Sequence, residues 1–196
     1  MKTFATSILV LGLTGAAQAE DVNITRDMAS AVVQTPSGEV EISRIQDQDA
    51  VIEGEFARIA RPCPNFCIQP MVPAEGVTPV GELEVIAALQ DPETLVIDGR
   101  VRPEFEAGTI PGAISVPYNE AADRLGELGC EIDFDGWICE GALPQVVLFC
   151  NGPWCGQSPT AARNMIEAGF PAENISYYRG GMQSWQMLGL TITGGE

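Results

Sequence analysis

The chain has 196 residues, with 27 acidic side chains against ten basic ones, six cysteines and no histidine. The missing histidine excludes imidazole catalysis and His-ligated metals, and the only lysine, Lys2, stands in a segment that reads as a removable leader. So acidic a chain lacks the clustered positive charge that nucleic acid or an anionic membrane surface requires, and neither is expected as a partner.

In chain order, Met1-Lys2, the apolar stretch from Ile8 to Leu13 and Ala17-Gln18-Ala19 before Glu20 form a secretory signal peptide over residues 1–19, too short for a spanning helix. The mature chain is therefore expected to begin near Glu20 and to work in the periplasm. Residues 20–77 read as an N-terminal extension with β-like alternation, including a hairpin around Pro36-Ser37-Gly38. Four prolines between Pro62 and Pro73, together with Cys63 and Cys67, favour an irregular connector over a helix. From residue 78 to 193 the pattern changes. Thr78-Pro79 is expected to cap and start a helix with Leu83, Ile86 and Ala87 on one face. A strand Leu95 to Ile97 then ends at Asp98, followed by a strand Ile114 to Val116, a helix Glu120 to Leu128 and a strand Val146 to Phe149. Ser158-Pro159 opens a helix that runs to Ala168, with a strand Ile175 to Tyr178 and a helix Met182 to Leu188 after it. Continuous apolar strands separated by helices predict an α/β fold, a mostly parallel sheet covered on both faces.

The six cysteines fall into three local pairs, the usage of an oxidising compartment. Cys63/Cys67 and Cys130/Cys139 each flank a loop or turn and are candidate structural disulfides. A zinc site on these four is the alternative, but their spacings are not those of zinc knuckles, and no metal or other cofactor is expected. The third pair is Cys150 and Cys155, in VVLFCNGPWCGQS. A strand that delivers a thiol to a Gly-rich loop and a helix N-terminus places it among backbone N–H donors, where a cysteine is held as a reactive thiolate. The competing reading makes Cys150 a small buried hydrophobe, or half of a disulfide with Cys155.

LVIDGRVRPEFEAGTIPGAISVPY (95–118), VVLFC (146–150) and YYRGGMQSWQMLGLTI (177–192) resemble, in order, the three signature blocks of the rhodanese family. The resemblance implies a rhodanese-like fold and a thiosulfate sulfurtransferase-like activity. Cys150 would carry sulfane sulfur as a persulfide between a small sulfur-containing donor and a thiol acceptor, protein thiols included. It implies a cradle of Asn151, Gly152, Pro153, Trp154, Cys155, Gly156 and Gln157, with Asp98 and Arg100 as supporting partners. Arg163 and Arg179 are candidates to bring positive charge to the thiolate, or else solvated surface residues. Two features depart from the ordinary family loop: it is about two residues longer and lacks a basic residue, and Cys155 is placed to bridge Cys150 or to resolve a persulfide. The alternative function is thus a thiol–disulfide redox or non-catalytic domain. The longer loop also resembles that of dual-specificity phosphatases, but Gly156 stands where those require arginine. Trp185, in GGMQSW, matches a position that packs in the core.

Overall fold

The computed structural model describes residues 21–134 and 136–195; the expected signal peptide lies outside them. Its centre is a five-stranded sheet in the order β3 (Thr78–Pro79), β9 (Ile175–Tyr178), β8 (Gln145–Phe149), β4 (Thr94–Asp98) and β5 (Ile114–Ser115). Every pairing in it is parallel, with Asp98 opposite Phe149 and Phe149 opposite Tyr178. Parallel strands are buried on both faces, which is why β4 and β8 are unbroken apolar runs.

One face is covered by α3 (Gln157–Glu167) and a 3-10 turn, Leu125–Leu128, around Ile97, Leu148, Ala161 and Met165. The other is covered by α1 (Glu82–Gln90) and α4 (Gly181–Met187) around Val96, Val147, Phe149 and Trp185. The antiparallel hairpin of β1 (Ser30–Thr35) and β2 (Gly38–Ser43) packs onto this second face. Its alternation sends Ala31, Val33 and Ile42 into the same core as Val85 and Ile86. The N-terminal hairpin is thus a layer of the main core. A second hairpin, β6 (Glu131–Asp133) and β7 (Gly136–Ile138), is absent from the sequence-based expectation.

Several expected elements are corrected. β structure in the N-terminal region is confined to the hairpin and β3, and residues 44–77 otherwise form irregular chain with one 3-10 turn, Gly54–Ala57. Thr78-Pro79 is an edge strand against β9, and the helix starts four residues later behind Gly81, whose N–H donates to the Glu84 carboxylate at 2.9 Å. That later start rotates the buried face of α1 to Val85, Ile86 and Ala88, and leaves Leu83 46% exposed. Residues 120–128 are turns and 3-10 helix, because only Leu125 and Leu128 there, with Ala121, bury an apolar side chain. The helix expected to open at Ser158-Pro159 begins one residue earlier, at Gln157 after Gly156, and no side chain caps it.

Ile42 is fully buried in the hairpin layer. Ile42→Ala should therefore lower the unfolding free energy of the whole chain by roughly 3 kcal/mol, read by chemical denaturation with one cooperative transition. A separate early transition of the N-terminal part would contradict the shared core.

Candidate active site

The connection leaving β4 runs to β5 at one edge, whereas the connection leaving β8 runs to β9 on the other side. Between the carboxyl ends of β4 and β8 the sheet changes direction, and such a switch point opens a crevice for ligands. Cys150 follows β8 at this point, and Asp98 ends β4 beside it.

Cys150 is 1% exposed and Cys155 4%, and both are free thiols, whereas Cys63 pairs with Cys67 and Cys130 with Cys139 at disulfide distance. Burial by itself pushes the Cys150 thiol up. Hydrogen bonds from the Cys155 thiol, the Ser158 N–H and hydroxyl and the Gly152 N–H outweigh it, so the Cys150 thiol lies below its ordinary value. Cys155 moves the opposite way: donating its proton to Cys150 holds it protonated, and burial and the Cys150 charge push it further up. Of the pair, Cys150 is thus the readier to ionise and Cys155 the one held protonated. The Cys150 Sγ donates to the Cys155 carbonyl at 3.4 Å, and the Cys155 Sγ donates to Gln157 Oε1 at 3.4 Å. Ser158 is fully buried one residue into α3, and its hydroxyl, which makes no other hydrogen bond, draws the Cys150 thiol down.

The loop around the sulfur is tied at both ends. The Asp98 carboxylate, fully buried, accepts from Arg100 N at 3.0 Å, Arg100 Nη2 at 2.6 Å and Thr109 Oγ1 at 2.8 Å. Arg100, 3% exposed, also donates to the Gly108 carbonyl at 2.6 Å and reaches Asn151 Oδ1 at 3.5 Å. Asp98 and Arg100 therefore touch the loop only through Asn151. Glu104, on α2 (Arg102–Ala107), accepts from Asn151 Nδ2 at 2.9 Å and from Gln157 Nε2 at 3.5 Å, so one carboxylate spans the loop from its second residue to its last. Nothing in the sequence marks Glu104, since the contact exists only once α2 is folded beside β8.

From below, the first N–H groups of α4 close on the loop: Met182 donates to the Cys150 carbonyl and Gln183 to that of Asn151, each at 3.0 Å. This approach needs Gly181, at φ +54°, since a Cβ there would lie 2.2 Å from the Cys150 oxygen. Trp154 points its indole N–H at Gln183 Oε1, 2.6 Å away, and its ring is covered from outside by Arg61 and Phe66. Pro153 offers its carbonyl to the Gln69 N–H at 2.8 Å, and Gly156 lies against the Gln69 side chain. Arg163 and Arg179 are not bonded to the loop. They tether the connector instead, Arg163 to the Pro73 carbonyl at 3.5 Å and Arg179 to the Gln69 carbonyl at 2.8 Å. Trp185 is fully buried in the core, its N–H on the Thr191 carbonyl at 2.8 Å.

A family model described as Rhodanese-like domain matches residues 83–188. A curated relative, the HTH-type transcriptional regulator Rv0324 of Mycobacterium tuberculosis, is 32% identical over 112 residues, which take in 57% of this chain and 43% of that regulator. The chain therefore spans less than half the length of that relative. Among solved structures, the BH2092 protein of Bacillus halodurans is 21% identical, with 61% of this chain and 77% of that one covered and a TM-score of 0.46. The thiosulfate sulfurtransferase of Pseudomonas aeruginosa is 23% identical, with coverages of 59% and 19% and a TM-score of 0.43. The human single-domain sulfurtransferase TSTD1 is 22% identical, with coverages of 55% and 93% and a TM-score of 0.41.

Two substitutions test this architecture. Asp98→Ala strands the buried Arg100 charge and should cost about 3–5 kcal/mol, measured by denaturant unfolding. Gly181→Ala meets both a left-handed backbone and a direct overlap with the Cys150 carbonyl, and should cost roughly 3 kcal/mol or displace α4 from the loop. A Gly181→Ala protein with parental stability would show that α4 does not close on the loop in this way.

Proposed function

The chain belongs to the rhodanese-like domain family, and from that premise we propose that it is an exported sulfurtransferase in which Cys150 carries sulfane sulfur as a persulfide. The observation that carries this reading is the ring of donors around one buried sulfur: the Cys155 thiol, the Gly152 and Ser158 N–H groups and the Ser158 hydroxyl hold Cys150 toward thiolate. The thiolate is the nucleophilic form of cysteine, and a preorganised ring of donors stabilises negative charge without waiting for water to reorganise.

The cycle has two displacements. The Cys150 thiolate attacks the outer sulfur of a donor; a new S–S bond forms at Cys150 as the donor's S–S bond breaks, and the leaving group, a thiolate or sulfite, departs with the electron pair. An acceptor thiolate then attacks the outer sulfur of the persulfide, and Cys150 leaves as thiolate. In the persulfide the charge sits one atom further from Cys150, on a terminal sulfur that needs donors of its own. Asn151 and Gln157, whose N–H groups already face the Cys155 sulfur, are the nearest additional ones. The ring holds Cys150 by hydrogen bonds and the loop has no arginine or lysine, which suits a neutral or singly charged persulfide donor better than dianionic thiosulfate. Export to the periplasm rests on the leader-like residues 1–19 and fits two cysteine pairs at disulfide distance.

A second reading is supported by the adjacency of the two free thiols: Cys150 and Cys155 cycling between dithiol and disulfide. Intact-mass analysis of the mature protein separates the two. A sulfurtransferase gains one sulfur, roughly 32 Da, at the Cys150 peptide on exposure to a persulfide donor, and Cys150→Ser gains none; a redox pair instead loses two hydrogens and loads no sulfur until reduced. The same spectrum gives the first residue, expected near Glu20.

The pH dependence has a definite sign. Because the folded Cys150 lies below its free-thiol value, its alkylation rate should approach its plateau at lower pH than that of a free-thiol peptide. The matching contribution to stability is present above the free-thiol value and is lost as pH falls through the folded one. Cys155→Ala removes a donor and should raise the Cys150 value, which moves its alkylation profile to higher pH. An unchanged rate profile in Cys155→Ala would remove Cys155 from the site's electrostatics.

A further inference from the structure

The segment 54–70 lies outside the family match and carries the exposed Cys63, yet it runs across the outer side of the Cys150 loop. Its contacts fall on the loop itself and on the start of α4. The Gln69 N–H donates to the Pro153 carbonyl at 2.8 Å, and Gln183 Nε2 donates to the Phe56 carbonyl at 3.0 Å. Arg61 stacks its guanidinium 3.9 Å from the Trp154 ring centre, and Phe66 meets the same ring edge-on at 5.3 Å. The Arg61 side chain is only 3% exposed, held by Glu55 Oε1 at 2.6 Å. Arg61 and Phe66 clamp Trp154 together because the Cys63–Cys67 disulfide folds the chain between them into a tight loop, which a Phe66 N–H to Pro62 carbonyl bond also closes.

The same segment is held at a few points. No residue from 43 to 72 is buried as a whole, although Phe56 packs against the core, and among the hydrogen bonds between described residues three tie the backbone of 54–70 to the rest of the protein: from the Gln69 N–H to the Pro153 carbonyl, from Gln183 Nε2 to the Phe56 carbonyl and from Arg179 Nε to the Gln69 carbonyl. Segments with few buried apolar contacts are the ones that open locally at low free energy. A segment with no wholly buried residue thus lies against the loop that carries Cys150.

We propose that residues 54–70 form a lid that selects what reaches Cys150: shut by the Arg61–Trp154–Phe66 clamp it admits only small sulfur species, and reduction of Cys63–Cys67 releases it for a protein thiol. The release step is a thiol–disulfide exchange with an external dithiol, which gives two electrons and two protons to the Cys63–Cys67 bond and leaves as a disulfide. The proposal rests on Cys150 as the reactive thiol, but it concerns access alone, so it can fail while sulfur transfer stands, and the reverse.

The test measures alkylation of Cys150 in the full mature chain, by peptide mapping, with iodoacetamide and with a maleimide carrying a 5-kDa polyethylene glycol, each normalised to a free-thiol peptide. In the parent, the bulky reagent should react at least tenfold more slowly, relative to the small one, than it does on the peptide. That ratio should collapse in Arg61→Ala/Phe66→Ala and in Cys63→Ser/Cys67→Ser, with thermal unfolding unchanged. Should either variant unfold, the parent treated with dithiothreitol until mass spectrometry shows only Cys63–Cys67 open must give the same collapse. A parent with no size discrimination, or a ratio that survives an opened Cys63–Cys67 bond, overturns the lid.

Discussion

A charged sulfur cannot be kept out of water unless donors replace the water, and the construction around Cys150 answers to that requirement. The isolated charge would be driven back to the neutral thiol by burial alone. The donors that prevent this come from the loop, from the first turn of α3 and from Cys155, none of them formally charged. Holding them in place falls to groups that never touch the sulfur: Glu104 ties the two ends of the loop, and α4 takes the carbonyls of Cys150 and Asn151. Arg100, neutralised by Asp98, steadies Asn151. Asp98 and Arg100 are thus positioning residues, as a buried pair with four shared hydrogen bonds should be.

The division of labour between the two cysteines follows from the same physics. Two thiols sharing a buried site cannot both ionise, and the one with more donors takes the charge. Cys155 therefore acts first as a hydrogen-bond donor. Its free thiol, in the same loop, is also the one nearest in sequence to Cys150.

The N-terminal region divides into two parts with different physical roles. The hairpin buries Ala31, Val33 and Ile42 and belongs to the core. The segment 54–70 buries no whole residue and is held by one disulfide, the cation–π stack of the Arg61 side chain and a few polar contacts. It nevertheless restores an arginine to the neighbourhood of a loop that has none, although that arginine is spent on Trp154 and Glu55 and not on the sulfur.

What the sequence determined by itself are the features written in runs and local spacing. The strands β4 and β8 carry continuous apolar stretches, the first hairpin alternates around a Pro-Ser-Gly turn, and Cys150 stands where strand ends and Gly-rich loop begins. Those signals are local because burial on both faces of a parallel sheet leaves no other composition for a central strand. Tertiary structure decided the rest, since the partners lie far apart in sequence. Thr78-Pro79 reads as a helix start until β9 lies beside it, and two residues carry no periodicity of their own. Ser158 looks like a cap, but the helix begins before it and turns its hydroxyl inward to the sulfur. Glu104, Gly181 and Arg61 are an unremarkable glutamate, glycine and arginine in the sequence. They belong to the site only because the crossover of α2, the approach of α4 and the path of the connector bring them to one loop, and that meeting is a property of the packed sheet.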